Sequence, residues 1–141
     1  MRLREESMSD LTAQIKDAEN FVSLQPADSA GILAAEARLG LLFAPDYKEY
    51  LLAFGAATFS GKELSGICKS ERLSVVSLTE RARRIYPRFP ENAYVIENLG
   101  FDLIFIVQDA SGRVYSYGPA DAGELIAGSL EEYLFPEKDI N

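Results

Sequence analysis

Four acidic side chains, Glu36, Asp46, Glu97 and Asp102, are of the type that works in pairs as general acid and base, and the one thiol, Cys68, stands beside Lys69. Between them runs Gly55-Ala-Ala-Thr-Phe-Ser-Gly61-Lys62, which has the outline of a phosphate-binding loop. Each falls short. Histidine is absent, which removes the usual base for a serine or cysteine nucleophile and the commonest ligand for zinc, copper or iron. Five residues rather than four separate the two glycines, and Glu63 stands where a magnesium-binding hydroxyl is required. No spacing fits a calcium loop. The carboxylates have simpler roles: Glu36 borders an apolar helix face, Asp46 stabilises a helix N-terminus, and Glu97 with Asp102 flanks a turn. Composition still admits a glycosidase-type acid pair, but the expectation is a chain with no catalytic residue, no metal and no cofactor.

Charge placement carries more. The formal net charge is -8. Residues 1–90 hold 12 Lys and Arg against 12 Asp and Glu, whereas residues 91–141 hold 2 against 10, so the last third carries the whole excess. Such a surface repels phosphate backbones and speeds encounter with basic proteins, although surface carboxylates also serve solubility alone. Arg81, Arg83, Arg84 and Arg88 form the basic cluster, on the outer side of their helix. With no aromatic stacking motif beside it, this cluster is expected to pair with the acidic sheet or a partner's acids rather than with nucleic acid.

The elements that position these groups follow from apolar spacing. Ile32, Ala35, Glu36 and Leu39 fall at i, i+3, i+4 and i+7, and Tyr47, Tyr50, Leu51 and Phe54 repeat that spacing after Pro45, which predicts a helix pair punctuated by Gly40 and Gly55. Asp28 is the candidate cap of the first of the two. Met8, Leu11, Ile15, Ala18 and Val22 predict an earlier helix, capped by Ser9 or Asp10, with the first seven residues loose or preceding a start at Met8. One or two short strands are expected in 56–66 and another at Leu73–Val76. A helix then starts at the capping box Ser77-Leu-Thr-Glu80, with Leu78, Ala82 and Ile85 inward, and ends at Pro87.

After Pro90 the chain reads as a meander. Tyr94–Leu99 alternates, Leu103–Val107 is a fully covered central strand, and Asp109–Gly112 turns into Arg113–Tyr117, with Tyr115 and Tyr117 on one side and Val114 and Ser116 on the other. Leu125 and Ile126 form a last short strand before a second capping box, Ser129-Leu-Glu-Glu132, and a helix through Phe135. The layout is α+β, with N-terminal helices packed on a mainly antiparallel twisted sheet.

At 141 residues, 48% hydrophobic and 26% charged, the chain fits one globular domain burying about two thirds of its unfolded surface. No apolar run approaches the roughly 20 residues that span a bilayer. The charged N-terminus, Met1–Met8, lacks the apolar segment of a secretory signal, and one cysteine forms no internal disulfide, so a cytoplasmic protein is expected.

The run Ile32, Glu36, Leu39, Gly40, Pro45, Asp46, Tyr47, Lys48, Tyr50, Leu51 and Gly55 resembles the N-terminal signature of the SUKH superfamily, the Smi/Knr-type proteins. Leu64–Ile67, Ser74–Arg81, Pro90–Gly100 with its following apolar strand, and Ile126–Leu134 are similar to later segments of bacterial members. Ala44 stands where a leucine usually precedes the proline, Phe54-Gly55-Ala56 replaces an asparagine-glycine step, and tryptophan is absent. The resemblance divides the chain into an N-terminal helix and leader, 1–27, a SUKH-like domain, 28–135, and a C-terminal tail, 136–141, in one globular domain overall.

This resemblance implies a non-enzymatic domain that binds protein. Bacterial members act as immunity proteins that neutralise cognate toxins, often nucleases, while fungal relatives are regulatory or scaffold modules of cell-wall synthesis. The acid block fits the first role, with a basic toxin domain as partner, no nucleic acid, no membrane, and a monomer or weak homodimer. The residues expected to meet the partner are Glu91, Glu97, Asp102, Asp109, Asp121 and Glu124, with Tyr115 and Tyr117 as aromatic anchors or ordinary sheet packing.

Overall fold

The computed structural model describes residues 10–119 and 121–136, with the backbone alone for residues 121 and 122; Met8 and Ser9 of the expected first helix lie outside these residues. In chain order the elements are α1 (Asp10–Lys16), β1 (Val22–Ser23), α2 (Ser29–Leu39), α3 (Pro45–Phe54), β2 (Ala57–Phe59), β3 (Lys62–Leu64), α4 (Val75–Ile85), β4 (Tyr94–Asn98), β5 (Phe105–Gln108), β6 (Val114–Gly118), β7 (Asp121–Ala127) and α5 (Leu130–Leu134). The fold is α+β, and every strand pair within its two sheets, β1-β2-β3 and β4-β5-β6-β7, is antiparallel.

The helix pair forms as its spacing predicts. Asp28 accepts a hydrogen bond from the Gly31 N–H at 2.8 Å, Pro45 opens α3, and the eight apolar-face positions of α2 and α3 are all buried. Glu36 is buried with them, and its carboxylate accepts from the Phe43 N–H at 2.9 Å, which pins the α2–α3 connection. Helix α3 is the hub of the core. The Tyr47 hydroxyl lies 3.0 Å from both oxygens of Ser65, and the Tyr50 hydroxyl donates to the Leu64 carbonyl at 2.8 Å. Both rings are fully buried, so leaving either hydroxyl unpaired would cost on the order of 1–3 kcal/mol.

The two sheets meet at Ser65. Its N–H donates to the Ile96 carbonyl at 2.8 Å and its hydroxyl to the Val95 carbonyl at 2.7 Å. A bulge makes this possible, because Val95 opposes Val107 and Glu97 opposes Ile106, leaving Ile96 free to face Ser65. At the same seam a Cβ on Gly66 would lie 1.7 Å from the Gly55 carbonyl oxygen, so the two backbones touch where only glycine fits. One face of the four-stranded sheet, with Tyr94, Ile96, Ile106 and Val114, packs on α1, α3 and α5. The other, with Val95, Phe105, Val107 and Tyr117, packs on Leu78 and Ala82 of α4 and on Phe89 and Ala93.

Several boundaries differ from expectation for local reasons. The first helix stops at Lys16, Asn20 takes φ +59°, and Val22 pairs with Thr58 as an exposed strand residue instead of continuing the helix face. Leu73–Val76 is not a strand. Ser74 caps α4, its hydroxyl accepting from the Ser77 N–H at 3.1 Å, so the helix starts at Val75 and Ser77 lies within it. Leu103 has φ +55° and is exposed, so β5 begins only at Phe105. The strand expected at Leu125 runs from Asp121, bulged twice against β6. At α5 the Ser129 hydroxyl accepts from the Glu132 N–H, but the Glu132 carboxylate reaches back to Gly128, one residue earlier than a capping box places it.

Candidate functional site

Helix α4 does not cover its whole face of the sheet. Beyond Phe89 and Ala93 lies a cavity of about 280 Å³ lined by Pro90, Asn92, Ala93, Val107, Asp109, Tyr115, Tyr117 and Gly123. Tyr115 and Tyr117 reach it from alternate positions of β6, opposite Val107 and Phe105, and Asp109 reaches it from the end of β5. The Asp109 carboxylate is set by the turn that follows: Oδ1 accepts from the Ser111 N–H at 3.0 Å and from the Ser111 hydroxyl. The floor is aromatic. Tyr117 meets Tyr86 and Phe89 edge-on, each with ring centroids 5.2 Å apart. Desolvation, and then the neighbouring Tyr117, raise the Tyr86 hydroxyl above its ordinary value of 10, and that hydroxyl donates to the Leu103 carbonyl at 2.6 Å.

The predicted contact residues divide three ways. Asp109, Tyr115 and Tyr117 converge on the cavity, and exposed Glu91 adjoins its lining residues Pro90 and Asn92 in the chain, whereas exposed Glu124 pairs with Ser116 on the sheet face away from Tyr115 and Tyr117. Asp102 lies at the opposite end of the strands, exposed in the 99–104 loop beside exposed Phe101 and Leu103. Asp121 opens β7 at that same end, paired with Gly118, and its side chain lies outside the described residues. One expectation is corrected. Glu97 is 7% exposed and accepts the Tyr133 hydroxyl from α5, because the bulge turns it onto the covered face. Of the two roles weighed for Tyr117, sheet packing holds: it is 5% exposed and builds the cavity floor. Burial, followed by the hydrogen bond and charge of Glu97, pushes the Tyr133 hydroxyl well above the ordinary tyrosine range.

The acid-pair chemistry weighed for Glu36, Asp46, Glu97 and Asp102 has no common centre. Glu36 bonds Phe43; Asp46 bonds Gln108 and Leu130; Glu97 bonds Tyr133; Asp102 is exposed on a loop. Among the described residues no group of three or more His, Cys, Asp or Glu is placed to hold a metal ion, and no helix is long and apolar enough to cross a membrane. The basic cluster also divides. Arg83 donates to the Leu39 and Glu91 carbonyls at 2.8 and 3.2 Å, whereas Arg81 and Arg84 line a separate cleft with Arg38 and Arg72.

Spacing did not reveal Pro90, Asn92 and Gly123, which join the site through the β-meander, although the alternation of Tyr115 and Tyr117 did signal a shared face. Residues 8–137 match a family model described as SMI1-KNR4 cell-wall, a span that takes in α1 and its core residues Leu11 and Ile15. No curated protein matches the chain.

Proposed function

Since the chain belongs to the SUKH, or SMI1-KNR4, family, we propose that it is a non-enzymatic immunity protein that neutralises a basic toxin domain, such as a nuclease, in the cytoplasm of the cell that makes it. The carrying observation is the cavity of Asp109, Tyr115 and Tyr117, with exposed Glu91 next in the chain to its lining residue Pro90. It suits one long basic side chain of the partner. An arginine entering it meets a carboxylate already oriented by Ser111 and an aromatic face on Tyr115, the pairing that charge-assisted hydrogen bonds and cation–π contact favour. Exposed Glu91 and Glu124, outside the cavity itself, act at longer range and speed encounter. Inhibition needs no catalytic group, only a face complementary to the toxin's substrate-binding surface. The family's cell-wall description favours a second reading, a regulatory scaffold using the same surface.

Association with a co-encoded toxin domain tests the reading. Glu91→Lys with Glu124→Lys should slow association steeply at low salt and less at high salt, while Asp109→Asn and Tyr115→Ala should speed dissociation, each weakening binding by about 2 kcal/mol. Unchanged rates in all variants would put the interface elsewhere. Failure of the wild type to bind any co-encoded toxin would favour the scaffold.

A further inference from the structure

We propose that the arginine-lined cleft on the outer side of α4 binds a phosphate-bearing small molecule, at a site separate from the acidic cavity. The cleft has a volume of about 530 Å³, within the usual range for small-ligand sites. Ser77, Glu80, Arg81 and Arg84 fall at i, i+3, i+4 and i+7 of α4 and form one wall; Arg38 of α2 and Arg72 supply cations from two other segments.

The ion pairs leave a positive surplus. Glu80 is held by Arg38 through two hydrogen bonds, Nε at 3.0 Å and Nη2 at 3.2 Å, and Arg72 reaches Glu63 at 3.3 Å. Glu71 also lines the cleft, yet neither Arg81 nor Arg84 has an ion-pair partner among the described residues. Arg81 and Arg84, three apart on the helix, thus present their charges to the same cleft. Their planar guanidinium groups match phosphate oxygens two at a time. A neutral donor completes the set. Asn98 Oδ1 accepts from the Gly100 N–H at 3.0 Å, which leaves the Asn98 amide N–H groups to donate to a ligand. A compact anion fits better than a long one, because beyond roughly 8 Å, the screening length at physiological salt, a polyanion meets the acidic remainder of the surface.

Calorimetric titration with pyrophosphate and with ADP, at matched ionic strength, tests this. Saturable binding is expected in the wild type, weakened about tenfold or more in Arg81→Gln/Arg84→Gln and unchanged in Arg88→Gln, an exposed arginine outside the cleft. Tighter binding of ADP than of pyrophosphate would identify a nucleotide as the source of the phosphate, and equal binding a simple phosphate. Both variants alter exposed side chains, so unfolding midpoints equal to the wild type are the check on folding. Absence of saturable binding of both probes, or equal binding by the double variant, overturns the proposal. So would binding of an acidic peptide in their place, which would make the cleft a protein contact.

Discussion

The Asp46 carboxylate accepts the Leu130 backbone N–H at 3.0 Å, tying the first turn of α3 to the first turn of α5 across 84 positions of the chain. Its other oxygen accepts from the Gln108 side chain at 3.1 Å; Gln108 in turn accepts from the Tyr94 hydroxyl at 2.7 Å, and that hydroxyl accepts the Ala44 N–H at 2.9 Å. One relay of hydrogen bonds joins two helices and two strands of the core. Asp46→Ala leaves two donors unmatched and should destabilise the protein by about 2–3 kcal/mol, with Asp46→Asn intermediate. Urea unfolding reads this as a lower midpoint at constant slope; a loss under about 0.5 kcal/mol would show that water replaces the carboxylate.

Glu97 and Tyr133 should behave as a coupled pair. Tyr133→Phe leaves a buried carboxylate without its donor, and Glu97→Gln weakens a charge-assisted bond, so each costs on the order of 1–3 kcal/mol. Their double-mutant cycle should give a coupling of about 1 kcal/mol or more. Strict additivity would mean that the two side chains do not meet in solution.

The start of α4 separates two serines three positions apart. Ser74→Ala removes the cap and should cost about 1 kcal/mol, whereas Ser77→Ala, within the helix, should stay within about 0.5 kcal/mol. The reverse order would move the helix start to Ser77.

Alkaline stability follows from the buried tyrosines. Desolvation is the first cause raising Tyr47, Tyr50, Tyr94 and Tyr133 well above 10. The unfolded chain loses these protons near pH 10 while the folded chain keeps them, so their contribution is complete below pH 10 and falls as pH rises above it. Stability should be insensitive to these groups from pH 7 to 9. Above pH 10 it should drop by up to about 1.4 kcal/mol per pH unit for each such tyrosine. The share of tyrosinate absorbance due to these four should then rise together with unfolding, and ionisation of all the tyrosines without unfolding would contradict the burial.

Local chemistry explains what was legible in the chain. The faces of α2 and α3, the Asp28 cap and the Asp109 turn are set by residues within a few positions of one another, and their spacing gave them correctly. Ser74 and Ser77 were confused because both precede apolar positions, and tertiary packing of Val75 decides between them. The position of Glu97 departs from simple alternation because a bulge shifts the register by one residue, and the residue that meets the bulge, Ser65 bonded to Ile96, lies about thirty positions upstream. The cavity was half visible in Tyr115 and Tyr117, while Gly123 and Asn92 join it through the meander. Arg38 reaches its cleft from 42 positions away, a distance at which spacing carries no signal.

Gly66 and Gly55 press backbone against backbone at the junction of the two sheets, far along the chain from the turns that carry Asp109 and Glu91. On the proposed reading, contacts at those exposed turns can change residue by residue, while the seam between the two sheets admits no new atom.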